Sequence, residues 1–237
     1  MPVMKRTLAV LVISILGALS AFAQQASSAR SNSPAVKFVL DWPAQNPSHF
    51  SIVIDSAGRA TYRSEPAADA NGGSAPDPYN VEWTVTDATR QRIFDAIPKL
   101  NFLHGNFESK SKVAMTGKKT LSYRDASHDN SITFNYSDNA TVRDLTHLFQ
   151  AIEATTESGR KLVYDLRYDK LGVDADLKGL QEQQRQGDAE EFGAIEPILQ
   201  KIANDDDMLR MSQQRAKEIL RTAGLNPAAP PATSAQQ

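Results

Sequence analysis

The sequence predicts an α+β protein: an antiparallel sheet of about five strands with one packed helix, followed by a helical C-terminal region. Three observations carry this expectation. Short runs alternating between apolar and polar residues fill positions 35–136, apolar residues recur at helical steps beyond Ser137, and Gly, Pro, Asn and Ser punctuate both parts. The expected layout is a signal peptide over 1–23, a disordered leader over 24–34, a strand-rich α+β domain over 35–136, a helical region over 137–225 and a disordered Pro/Ala tail over 226–237.

Lys5 and Arg6 precede an apolar run from Leu8 to Leu19, and Ala21-Phe22-Ala23 follows as a small-x-small exit. That order of charge, apolar run and small residues is a secretory signal, with cleavage expected after Ala23. It places the mature chain in the periplasm or outside the cell. The run is shorter than the ~20 residues a spanning helix needs, so no transmembrane segment is expected in the mature chain. No cysteine occurs anywhere. Disulfides, thiolate metal sites and a cysteine nucleophile are therefore excluded, and packing must stabilise the protein in an oxidising compartment. Losing Lys5 and Arg6 shifts the formal charge from −2 to −4, which gives no general attraction to nucleic acid.

Val36 to Trp42 reads as the first strand. "FSIVID" follows with Phe50, Ile52 and Ile54 on one face, then Ser56-Ala57-Gly58 as a turn and "RATYRS" as the returning strand. Glu65 to Asn80 is a low-complexity loop. "VEWTV" puts Val81, Trp83 and Val85 on one side of a strand; Thr86 then caps a helix with Ile93, Phe94 and Ile97 on its inner face, which Pro98 ends. "KTLSYR" and "SITFNY" form a second hairpin, with Leu121 and Tyr123 facing Ile132, Phe134 and Tyr136. Beyond it, Val142, Leu145, Leu148, Phe149 and Ile152 make a helical stripe. Separate helices are expected around Leu162, Val163 and Leu166, around Leu177 and Leu180, from Phe192 to Ile202, and from Leu209 to Leu220. Asp205 to Asp207 stand at the start of the last helix and Gly224 past its end, while Pro197 divides the segment before it.

Few stretches carry the marks of chemistry. Gly117-Lys118-Lys119-Thr120 suggests a phosphate loop, but Lys112 stands where the first glycine belongs and Lys119 where a hydroxyl should hold magnesium. Ser109 and Lys112 match a serine-x-x-lysine pattern, and Ser137-Asp138-Asn139 matches the triplet of penicillin-recognising enzymes. The serine nonetheless sits in a polar loop, no lysine-threonine-glycine strand follows, and Ser137 to Asn139 serves as a helix cap. His49, His104, His128 and His147 are scattered without metal-ligand spacing. Asp169, Asp174 and Asp176 lack the glycine and glutamate of a calcium loop, and Asp174 reads as a helix cap. No catalytic, cofactor-binding or metal-binding residue is assigned. One asymmetry survives: Lys110, Lys112, Lys118, Lys119 and Arg124 lie in a stretch without an acid. They read as a solvated loop that discourages edge pairing of strands. The functional alternative is an anion-binding patch for an acidic envelope component or protein partner.

"HFSIVIDSAGRATYRS" and "VEWTVTDATRQRIFDAIPKLNFL" together resemble the start of an uncharacterised bacterial secreted domain family, with Phe50, Gly58, Tyr62, Phe94 and Phe102 at the matching places. That family commonly carries two cysteines and an aspartate-glycine turn; this chain has no cysteine and reads Ala57-Gly58. The resemblance implies a fold and an exported compartment and no catalytic residue. The expected function is non-catalytic binding or interaction at the cell envelope. The alternative is an envelope hydrolase, and polar side chains converging in a cleft would mark it.

Overall fold

Side chains on six segments alternate between the core and solvent, and all six pair into one antiparallel sheet. The computed structural model describes residues 33–65 and 78–227. The expected signal peptide, nearly all of the leader and tail, and the interior of the Glu65 to Asn80 loop lie outside the described residues. The strands are β1 (Ala35–Asp41), β2 (His49–Asp55), β3 (Arg59–Glu65), β4 (Tyr79–Thr84), β5 (Lys118–Arg124) and β6 (Asp129–Phe134), in the spatial order β4-β3-β2-β1-β5-β6. In this register Phe38 lies opposite Ile52 on one side and Leu121 on the other, and Ile52 lies opposite Tyr62. The inner face therefore carries a continuous band of fully buried side chains: Phe38, Phe50, Ile52, Ile54 and Tyr62. Burying each large aliphatic or aromatic residue contributes about 1.5–3 kcal/mol. The expected turn after β2 forms at Gly58, whose φ of 85° suits glycine, and the Asp55 carboxylate accepts from the Ala57 and Arg59 amides at 2.9 Å.

The Thr86 side chain caps α1 (Asp87–Lys99) by accepting from Thr89 N, and Ile93 and Ile97 face the core. Pro98 does not stop this helix, which runs one residue further to Lys99. A proline in the last turn removes a single hydrogen bond, and Leu100 N closes the end on Ala96 O and Ile97 O. The chain then passes through Asn101, Phe102 and Leu103 at φ values of 48°, 53° and 63°. Phe102 stacks on His128 at 4.1 Å, and Asn130 Nδ2 donates to its carbonyl at 2.8 Å, which holds this left-handed turn in place. Tyr136 departs from expectation. It is exposed and lies past the end of β6, because Asn135 N donates to Glu108 Oε2 and Ser109 N to Tyr136 O.

The Asn139 side chain accepts from Val142 N and opens α2 (Ala140–Tyr168). The two helices expected on either side of residue 155 are this one helix of 29 residues, about 43 Å long at the usual rise. Its interior contains no proline, and Gly159 is retained for packing, since a Cβ there would fall 2.2 Å from Ile195. Val142 to Ile152 pack in the sheet core, while Leu162 joins a second core with α3 (Val173–Gln186), α4 (Glu196–Asn204) and α5 (Arg210–Thr222). The first half of α2 thus belongs with the strands and its second half with the helices. A tight 3-10 turn over Phe192–Ile195 leads into α4, whose first turn holds Pro197, as expected. Asp174 lies inside the first turn of α3, after Gly172 at the cap, and pairs with Arg215 at 3.0 Å. Asp205 closes α4 and Asp207 folds back onto it, so this acidic triplet makes the turn before α5 and lies outside its first turn. No helix among the described residues is long and apolar enough to cross a membrane.

Candidate functional site

The basic stretch is divided by the sheet. β5 is an interior strand between β1 and β6, so its lysines do not guard an edge. Lys119 alternates with Leu121 and Tyr123 and points to the inner face, where it is 5% exposed. Its ammonium donates to Asn135 O at 2.8 Å, to Thr116 O and Thr116 Oγ1 at 3.0 Å, and to Gly117 O at 3.3 Å. Lys119 therefore leaves the solvent-facing set. Burial lowers its pKa, with Glu108 acting in the opposite sense. Arg124 pairs with Asp129 at 3.1 Å at the far end of β5, roughly 20 Å along the strand from Lys118. Lys110, Lys112 and Lys118 remain exposed. Gly117 has a φ of 94°, and a Cβ there would meet Leu40 and Trp42 at 2.8 Å, so its backbone is packed against side chains.

The other decoys also resolve into structural roles. Ser109 Oγ donates to Asp138 Oδ2 at 2.7 Å. His49 meets Asp41 at 2.5 Å, His147 meets Asp188 at 3.1 Å, His128 stacks on Phe102 and contacts Asp125, and His104 is exposed. Asp125 is held well below the usual carboxylate range, first by the Tyr123 hydroxyl that donates to it at 2.7 Å and then by the Ser127 amide. That cluster ties the β5–β6 turn. Among the described residues no group of three or more His, Cys, Asp or Glu is arranged to hold a metal ion.

A polar site arises instead where the middle of α2 crosses β3 and β4. Between Ile152 and Leu162 the helix carries no large apolar residue, although Glu153, Thr155, Thr156 and Gly159 are all buried there. The threonines are satisfied locally: Thr155 Oγ1 donates to Ala151 O and Thr156 Oγ1 to Ile152 O, both at 3.0 Å. Glu157 reaches across to the sheet, where its Oε1 accepts from Tyr62 OH and Ser64 Oγ at 2.7 Å each, while Oε2 accepts from Arg160 Nε at 2.6 Å. Burial, then the Glu157 charge, pushes the Tyr62 phenol far above its ordinary value, so it stays a donor.

Glu153 sits one helical turn before Glu157 and lacks such partners. It is 8% exposed, and its carboxyl has no hydrogen bond within the described residues. Burial first, and the Glu157 charge second, push its pKa up to about 7. It lies in the wall of an open cleft of about 960 Å³ that runs along α2, bounded also by Tyr79 of β4, by Tyr164 and Tyr168, and by Gln183 of α3. Burial pushes the Tyr79 phenol up to about 12. Tyr164 and Tyr168 are exposed with ring centroids 4.8 Å apart, and the Arg167 guanidinium lies over Tyr168 at 5.3 Å. Further along, Lys161 contacts Asp165 at 3.4 Å and also Asp176. The neighbouring Asp176 carboxyl, then burial, raises the pKa of Asp165; burial opposes ionisation of Asp176, but Asp165 and Lys161 hold its pKa down. Ser158 also lines the cleft, but its hydroxyl donates to Ala154 O at 2.7 Å and is not paired with a base.

This arrangement can accept a donor or cation at Glu153, stack a ligand on tyrosine rings, and exchange a proton near neutral pH. Sequence reasoning did not assign any of these residues. The available signal was the stretch "EATTESG" from Glu153 to Gly159, polar where the apolar stripe of the helix should continue. No protein-family model matches the chain, and no curated protein matches it.

Proposed function

We propose that the protein is an exported envelope protein, akin to the secreted domain family it resembles, that binds a small polar ligand without catalysis in the α2 cleft. The observation that carries this reading is Glu153, a buried carboxyl without a hydrogen-bond partner in the wall of an open cleft. A carboxyl that opens onto a cleft and receives no donor from the described residues is free to take one from a ligand. Export rests on Lys5, Arg6 and the apolar run up to Ala23. Ligand-observed NMR with the small-molecule fraction of an envelope extract tests the binding site. Binding signals should appear with the parent protein and vanish in Ser158→Trp, which fills the cleft; equal signals in both proteins, or none in either, would remove the cleft from consideration.

One observation favours a hydrolase as a second reading. Glu153 has a pKa of about 7 and stands a turn from Glu157, and an acid beside a carboxylate is the working pair of glycoside hydrolysis. The bonds that Glu157 already makes to Tyr62, Ser64 and Arg160 weigh against a mobile catalytic role. Release of nitrophenol from a panel of nitrophenyl glycosides, lost in Glu153→Gln, would establish the hydrolase; no turnover by the parent leaves the binding role.

A further inference from the structure

We infer that the ligand of the α2 cleft is an organic cation whose ammonium group seats on the Glu153 carboxylate. The inference rests on the cleft being the ligand site and names the chemical class that fills it. A carboxylate only accepts hydrogen bonds, and Glu153 is offered none by the protein. A neutral hydroxyl on a ligand would supply one donor. An ammonium supplies three donors and the opposite charge, offsetting both the missing hydrogen bonds and the desolvation of the ion.

The cations beside the site are already paired. Arg160 is held by Glu157, and Lys161 is held by Asp165 and by Asp176 of α3. The strand groups facing this part of the helix are Tyr62 and Ser64 of β3 and Tyr79 of β4, all neutral, and α3 contributes the neutral Gln183 to the cleft. Arg167 lies fourteen residues further along α2, about 21 Å away at the helical rise, with its guanidinium on Tyr168. The charge left unbalanced beside Glu157 is therefore negative. Tyr79, which lines the same cleft, adds an aromatic ring, a surface to which cations are attracted. Burial and the Glu157 charge keep Glu153 near half-protonation at pH 7, so seating a cation expels a proton from part of the population. Affinity should therefore rise with pH.

The test uses the purified full chain, cadaverine dihydrochloride as the cationic probe and 1,5-pentanediol as its neutral counterpart, followed by calorimetry and backbone NMR. Cadaverine should bind about tenfold more tightly at pH 8 than at pH 6, as expected for a site titrating near 7. It should shift resonances of residues 153–168, lose at least about tenfold in affinity in Glu153→Gln, and regain part of that loss in Glu153→Asp; the diol should not bind. Cadaverine binding that is indifferent to pH or unchanged in Glu153→Gln overturns the inference. Binding of the diol at residues 153–168 without cadaverine binding overturns the cation class and leaves the cleft as a ligand site. Absence of both also overturns it, and the Ser158→Trp comparison with envelope extract then judges the cleft by itself.

Discussion

Lys119 and Glu153 are both ionisable side chains held out of water on the inner side of the sheet, and their surroundings differ completely. The Lys119 ammonium is enclosed by four oxygen acceptors from residues 116, 117 and 135. The Glu153 carboxyl has none of the donors it needs, although Tyr62, Ser64 and Arg160 all serve Glu157 one turn away. Burial disfavours the charged form in both cases, lowering the lysine and raising the acid. A saturated buried charge ties a loop to a strand, whereas an unsaturated one beside a cleft is available to a ligand. The contrast separates structure from function in this chain, and each substitution below tests one side of it.

The largest effect belongs to the saturated carboxylate. Glu157→Ala strands the Tyr62 hydroxyl, Ser64 Oγ and Arg160 together, and should cost about 3–5 kcal/mol in chemical denaturation. Lys119→Ala leaves the carbonyls of Thr116, Gly117 and Asn135 without their donor; a loss of about 2–3 kcal/mol is expected. Losses within about 0.5 kcal/mol for either variant would mean that water replaces these bonds freely.

Glu153→Gln should act with the opposite sign. In the folded protein this carboxyl gives up its proton near pH 7, and in the unfolded chain near the ordinary value of 4.5. The folded state thus binds more protons between those values, so stability falls as pH rises from 4.5 through 7 and levels off above. The neutral glutamine removes that penalty. It should stabilise the protein by up to about 3 kcal/mol at pH 8 and have no effect below pH 4.5. Denaturation curves at pH 4, 6 and 8 check this, and a pH-independent difference would place the carboxyl in water. The smallest effect is expected for Lys110, Lys112 and Lys118, exposed and outside any ion pair among the described residues. Changing each to Gln should alter stability by no more than about 0.5 kcal/mol and leave cadaverine binding intact.

The sheet was legible because Phe50, Ile52 and Ile54 recur at every second position, as do Leu121 and Tyr123 between polar neighbours; Val53, apolar but exposed, is the exception to the alternation. The alternation extends to Lys119, whose identity as a lysine masked its inward position. The length of α2 was less legible, since its apolar stripe is interrupted from Glu153 to Lys161, and the role of Gly159 there depends on Ile195 packed against it. The candidate site was the hardest part. That Glu157 and not Glu153 receives Tyr62 and Ser64 depends on the register with which α2 crosses β3, set by contacts more than ninety residues apart in sequence. Only the polar interruption from Glu153 to Gly159 hinted at it.

A pH titration of the Glu153 side-chain carboxyl by carbon-detected NMR, with and without cadaverine, tests the central claim most directly. The account predicts a midpoint at about 7 in the free protein and a clearly lower midpoint with the amine bound, because a seated cation favours the ionised form. A midpoint near 4.5, or one that does not move when cadaverine is added, would contradict it.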